Sequence, residues 1–167
     1  NNSNFQYDFD INQSTKKIVL FRKVGESRHG FNFTILNQIE NKIIAILGLA
    51  FKPNTDDVRE SASLEMIKSI KEMGGTVKAF DPVANDSMKI IFPDISYKNS
   101  WEEACKDVHA AAILTEWNEF RSMSIERLKQ LMSKPILLDT RNIIDVKKLK
   151  AHEFNFDNVG RGINNVS

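Results

Sequence analysis

At 167 residues the chain has the length of about one ordinary domain. With 41% hydrophobic and 27% charged residues it is too apolar and too balanced in charge for a disordered chain. Its net charge of +1 gives no chain-wide footprint for nucleic acid, so any anion site has to be local.

The lone cysteine, Cys105, excludes an internal disulfide framework and a multi-cysteine metal site, and it fits a reducing, cytoplasmic setting. No apolar run approaches the length of a membrane span, so no membrane partner is expected. His29, His109 and His152 stand in no paired ligand spacing, so no metal is expected. The chain does not begin with Met, and its polar residues 1–4 read as the start of a fragment.

In chain order, Ile11, Ile18, Val19, Phe21 and Val24 predict an amphipathic helix over 11–24, capped by Asp10 or Asn12. Gly25, Ser27, Gly30 and Asn32 mark 25–32 as a loop. Residues 43–47 are a continuous apolar run ended by Gly48, the pattern of a strand covered on both faces. Ala62, Met66, Ile67, Ile70 and Met73 share one helical face within 61–73, and Gly74-Gly75 stops the helix. Residues 76–80 form a second strand, closed by Asp81-Pro82. Ser100 and Glu103 have capping-box spacing and open another helix. A third buried strand follows at 109–114. Ile125, Leu128, Leu131 and Met132 point inward from a helix over 124–132. The fourth strand is 136–138, and 154–159 supplies a terminal one.

Strands alternating with helices predict a single α/β domain: a Rossmann-like, doubly wound, mostly parallel sheet. Ligands of such sheets bind outside the carboxyl ends of the strands, which selects the loops 48–61, 81–86 and 139–142.

Loop 48–61 gathers Phe51, Lys52, Asp56, Asp57 and Arg59 between a buried strand and a helix, where phosphate is often held. No G-x-G-x-x-G occurs in the chain. Lysine brings a compact point charge and arginine a planar fork, both suited to phosphate or sugar oxygens. Spacing alone leaves two readings open: a ligand loop, or a solvated loop with local Asp–Arg pairing and Phe51 tucked into the core. Trp101 and Trp117 read most simply as core or pocket-edge aromatics, with lining of the cleft the alternative for Trp117, which follows the third strand. Lys16, Lys17, Arg22, Lys23 and Arg28 read as a solvated helix face, Cys105 as a small packed hydrophobe and His109 as structural.

Residues 48–61, Gly-Leu-Ala-Phe-Lys-Pro-Asn-Thr-Asp-Asp-Val-Arg-Glu-Ser, are similar to the signature of the carboxy-terminal domain in the UDP-glucose/GDP-mannose dehydrogenase family. Asn54-Thr55-Asp56-Asp57-Val58 resembles its UDP-glucose branch. The likeness continues through Ala79-Phe80-Asp81-Pro82, Leu138-Asp139-Thr140-Arg141-Asn142 and Val159-Gly160-Arg161-Gly162. Upstream, Ile11-Asn12-Gln13 resembles the junction with the family's central helical region, while 25–40 matches no part of it.

The resemblance implies that 1–40 is a helical or linker segment from the central region and 41–167 a nucleotide-sugar-binding domain. It implies that Phe51, Lys52 and Arg141 contact a UDP-sugar and that Arg59 contacts NAD bound mainly by the family's amino-terminal domain. One departure is Thr140, where the family has a small residue such as Gly before the Arg. The implied parent is a cytoplasmic homodimer or larger homo-oligomer serving polysaccharide biosynthesis, which oxidises UDP-glucose to UDP-glucuronate with two NAD. Its nucleophile is a cysteine in a Gly-Gly-Ser-Cys-type motif, which Glu103-Ala104-Cys105-Lys106 does not resemble, so this chain by itself is expected to be inactive. Alternatives are a sister dehydrogenase acting on a UDP-N-acetyl-hexosamine or GDP-mannose, and a non-enzymatic binding module of the same fold.

Overall fold

A computed structural model of the chain describes residues 6–12, 17–24, 27–32 and 39–158. Strands β1 (Gln6–Asn12), β2 (Lys17–Val24) and β3 (Ser27–Asn32) form an antiparallel sheet in the order β1-β2-β3. Ile11 pairs with Ile18, and Phe21 with Gly30. The helix expected over 11–24 and the loop expected over 25–32 are therefore corrected to strands. Six residues separate Ile11 from Ile18 without another apolar one, too wide a gap for a helical stripe. Residues 18–21, Ile-Val-Leu-Phe, are instead β-branched and aromatic-rich, as strands prefer. The basic residues Lys17, Arg22, Lys23 and Arg28 accordingly lie on strands, not on a helix face. Lys16 and the motif at 159–162 lie outside the described residues.

The larger sheet is built from β4 (Ile43–Leu47), β5 (Thr76–Phe80), β6 (Ser96–Tyr97), β7 (Ala110–Ile113), β8 (Ile136–Asp139) and β9 (Asn155–Asn158). Its order is β6-β5-β4-β7-β8-β9, with every neighbouring pair parallel. Counted from its first strand this is the doubly wound order 3-2-1-4-5-6. The crossovers carry α1 (Ala62–Glu72), α2 (Asn85–Ile91), α3 (Trp101–Cys105), α4 (Asn118–Arg121), α5 (Ile125–Leu131) and α6 (Val146–Ala151). The α/β reading holds. α2, β6, α4 and α6 are additions to it; two-residue β6 and one-turn α4 are too short to show a period.

Strand β4 explains the two-layer core. Ile44 and Ile46 join one apolar cluster with Met66, Ile67, Ile70 and Met88. Ala45 and Leu47 point the other way, to Trp101, Phe120, Leu128 and Leu149. Alternate side chains of one strand thus bury on opposite faces, and each large aliphatic one contributes roughly 1.5–3 kcal/mol.

Local signals set the helix ends. Ser61 accepts from the Ser63 N–H at 3.2 Å to open α1, and Gly74 closes it with φ +81°. Ser100 accepts from the Glu103 N–H at 3.1 Å, while Glu103 reaches back to the N–H of Asn99 at 3.1 Å. That is a capping box shifted by one residue on its acidic side.

Candidate nucleotide-sugar site

The strand order reverses between β4 and β7, the point of a doubly wound sheet at whose carboxyl edge ligands bind. Loop 48–61 leaves β4 there. Gly48 turns at φ +95° and donates to the Phe80 carbonyl at 2.9 Å. The N–H groups of Leu49 and Ala50 both donate to Asp81 Oδ2, at 2.8 and 3.1 Å. The Ala50 carbonyl accepts from the Thr115 hydroxyl at 2.7 Å, and that of Leu49 from the Ser63 hydroxyl at 2.9 Å. The Phe51 N–H donates to the Asp57 carbonyl at 3.0 Å.

This arrangement separates the loop from a dinucleotide cradle. In that cradle, the first N–H groups after the leading strand face the pyrophosphate. Here those of Leu49 and Ala50 are committed to a buried aspartate. Phe51 emerges 38% exposed, with Lys52 Nζ 5.2 Å from its ring centre. The reading with Phe51 tucked into the core is therefore set aside.

The local Asp–Arg pairing is present. Arg59 Nη2 and Nε donate to Asp57 Oδ2 and Oδ1 at 2.7 and 3.0 Å, and the Arg59 N–H donates to Oδ1 at 2.9 Å. These bonds, aided by the charges of Arg59 and Lys52, hold the Asp57 carboxyl down at about 2. The Arg59 side chain is 86% exposed, so the pair fixes its direction while leaving it open to solvent.

Arg141 enters from the β8 exit. Asp139 is buried and accepts the N–H groups of Arg141, Ile143 and Ile144 at 3.1, 2.9 and 2.9 Å. Burial raises its pKa, and those backbone donors act in the opposite sense. Thr140 is tied into this turn: its hydroxyl and its N–H both donate to the Ile113 carbonyl, at 2.7 and 3.1 Å. Arg141 Nε donates to the Leu114 carbonyl at 3.0 Å and lies 3.1 Å from Glu116 Oε2. Leu114 precedes Thr115, which holds Ala50, which precedes Phe51. The loops after β4, β7 and β8 are thereby stitched into one edge carrying Phe51, Lys52 and Arg141. Arg59 sits further along the first loop, paired with Asp57.

Asp81, Thr115 and Glu116 are the contributors that sequence reasoning passed over. Asp81 opens the selected loop 81–86 and lies in the motif Ala79-Phe80-Asp81-Pro82, but as the close of a strand it was given no contact of its own. Trp117 is buried and donates from Nε1 to Asp81 Oδ2 at 3.0 Å, so it braces the loops from behind. Cys105 is fully buried, and burial pushes its thiol up, which keeps it protonated and unreactive. His109 Nδ1 accepts from the Ile43 N–H at 3.0 Å, a structural bond between strands.

The family model described as UDP-glucose/GDP-mannose dehydrogenase family, UDP binding domain, matches residues 45–146. The chain belongs to this family. The match runs from β4 through all three stitched loops to the start of α6, so the edge just described lies within the UDP-binding domain. Among curated relatives, UDP-glucose 6-dehydrogenase TuaD of Bacillus subtilis is 33% identical over 77% of this chain and 28% of its own length. UDP-glucose 6-dehydrogenase of Rhizobium meliloti is 36% identical over 74% of the chain and 28% of its own. UDP-glucose 6-dehydrogenase YwqF of Bacillus subtilis is 31% identical over 95% of the chain and 36% of its own. The chain thus spans about a third or less of the length of these relatives.

Among solved structures, the UDP-D-ManNAc dehydrogenase of Pyrococcus horikoshii superposes with TM-score 0.61 at 30% identity, covering 75% of this chain and 27% of that one. The UDP-glucose dehydrogenase of Pyrobaculum islandicum gives 0.59 at 29% identity over 70% and 25%. The doubly wound sheet is thus the family's fold as well. Among the described residues, no helix is long and apolar enough to cross a membrane.

Proposed function

We propose that this UDP-binding domain serves an NAD-dependent UDP-glucose 6-dehydrogenase, with residues 41–167 forming the nucleotide-sugar domain and 1–40 leading into it. Lys52 and Arg141 neutralise the diphosphate, Phe51 packs against the ligand, and Arg59, aimed by Asp57, meets NAD carried by another domain. When bound, NAD accepts hydride from the sugar carbon. The residues of this chain hold that carbon in place, and such positioning supplies a large share of a rate. We place the parent in the cytoplasm, in keeping with a nucleotide-sugar substrate, and as a homo-oligomer, as the family resemblance implies.

The observation that carries this reading is the stitching of Phe51, Lys52 and Arg141 to one sheet edge through the Thr115–Ala50 and Arg141–Leu114 bonds. With the loop's leading N–H groups already committed to Asp81, two cationic side chains remain the means of holding a diphosphate. Calorimetric titration with UDP-glucose, a UDP-N-acetyl-hexosamine and GDP-mannose tests it. UDP-glucose is expected to bind weakly to the chain alone and GDP-mannose not at all. Lys52→Ala and Arg141→Ala should each lose about tenfold in affinity or more, as for loss of a charged hydrogen bond. Preference for GDP-mannose or the N-acetylated sugar moves the assignment to a sister dehydrogenase. NAD reduction by the chain alone contradicts the division of labour.

A further inference from the structure

Asp81 directly follows β5, and five donors converge on it. Oδ2 accepts from Leu49 N, Ala50 N and Trp117 Nε1, and Oδ1 from Val83 N and Ala84 N. A carboxylate is acceptor-only at both oxygens and serves such a cluster. An amide in its place turns an NH2 group against some of these donors. The residue is buried and its own N–H is held by Asn85 Oδ1 at 2.9 Å.

We propose that Asp81, with Trp117 as its partner, is a positioning residue for the nucleotide-sugar site, setting both halves of it from one buried carboxylate. Through Leu49 and Ala50 it fixes the backbone immediately before Phe51 and Lys52. Through Trp117 it fixes the loop after β7, whose Leu114 carbonyl and Glu116 carboxylate receive Arg141. Release of the Trp117 bond leaves the Thr115–Ala50 bond as the direct tie between the two loops and loosens their relative placement, and small displacements of binding groups weaken a ligand out of proportion to the bond lost. The proposal rests on the nucleotide-sugar reading of the site.

The test compares the full chain with Trp117→Phe, Asp81→Asn and a control, Ile70→Val, in the α1 core away from this edge. UDP affinity is read by calorimetry at a temperature where circular dichroism shows each variant folded, and amide exchange is followed at residues 49–52. Trp117→Phe keeps an aromatic ring and removes one donor. It should weaken UDP about three- to tenfold, the range for one hydrogen bond, and speed exchange at Ala50 and Phe51. Ile70→Val should lower the melting temperature and leave UDP affinity unchanged, which separates positioning from general loss of stability. If Asp81→Asn does not fold, Trp117→Phe carries the test. UDP affinity unchanged in Trp117→Phe overturns the positioning role. A wild-type chain that does not bind UDP overturns the site reading instead, and exchange at 49–52 unaltered in Trp117→Phe then overturns the positioning role as well.

Discussion

Gly48 lies against Thr115 so closely that a Cβ on it would stand 2.5 Å from both Cβ and Oγ1 of the threonine and 2.6 Å from its backbone nitrogen. The contact brings the exits of β4 and β7 together and lets the Thr115 hydroxyl reach the Ala50 carbonyl. At φ +95° the position also sits where side chains are strained.

Gly48→Ala therefore meets both a steric and a conformational penalty. It should destabilise the chain by about 2 kcal/mol or more in denaturant unfolding. Thr115→Ser, which keeps the hydroxyl and removes a methyl, should not relieve it, because the backbone nitrogen remains too close. A Gly48→Ala chain as stable as wild type would remove the close approach as a constraint.

The Asp57 carboxyl should titrate at about 2 when followed by NMR, and should return toward 3.8 in Arg59→Ala. A depressed folded pKa adds stability above the unfolded value and loses it as pH falls through the folded one. The window is thus from 3.8 down to about 2, and its effect on stability is small because the pair is exposed. Titration of Asp57 near 3.8 in the wild type would show that Arg59 is not held in this direction.

His109 predicts a pH effect at milder values. Burial, then the charges of Lys42 and Lys134, lower its pKa from 6.5. The unfolded chain takes up the proton first as pH falls, so stability should decline with acidification below 6.5. Unfolding midpoints between about pH 7 and 5 should fall less steeply in His109→Gln, whose side chain has no proton to gain in this range. Equal slopes would assign the effect to other groups.

Cys105 offers a probe of global opening. It is fully buried with a raised thiol pKa, so a thiol reagent should label it only as the chain unfolds. Labelling should rise along the denaturant transition followed by circular dichroism. Rapid labelling of the native chain would contradict its burial between the sheet and α5.

The legibility of this protein divides along the range of the interactions involved. Strands β4, β5, β7 and β8 were readable because a strand covered on both faces is an apolar run bounded by turn residues, and helix α1 because its Ser61 cap and Gly74 stop are local. Loop 48–61 was readable as a family signature. The first sheet was missed because Ile11 and Ile18 were counted as helical partners, when they face each other across a strand pair. Periodicity does not say which of those geometries the chain selects.

By itself, the sequence determined the α/β class, the places of those strands, the four candidate residues and the family resemblance. Only the tertiary structure decided what the candidates are tied to. Trp117 and Asp81 are 36 residues apart, and Thr115 and Ala50 are 65 apart. They meet because the strand order places β4 between β5 and β7, a consequence of pairing and crossover that no local pattern encodes. Phe51 turned out exposed and Trp117 buried for the same reason: burial at a sheet edge is set by the neighbouring loops that pack there, and those loops arrive from distant parts of the chain.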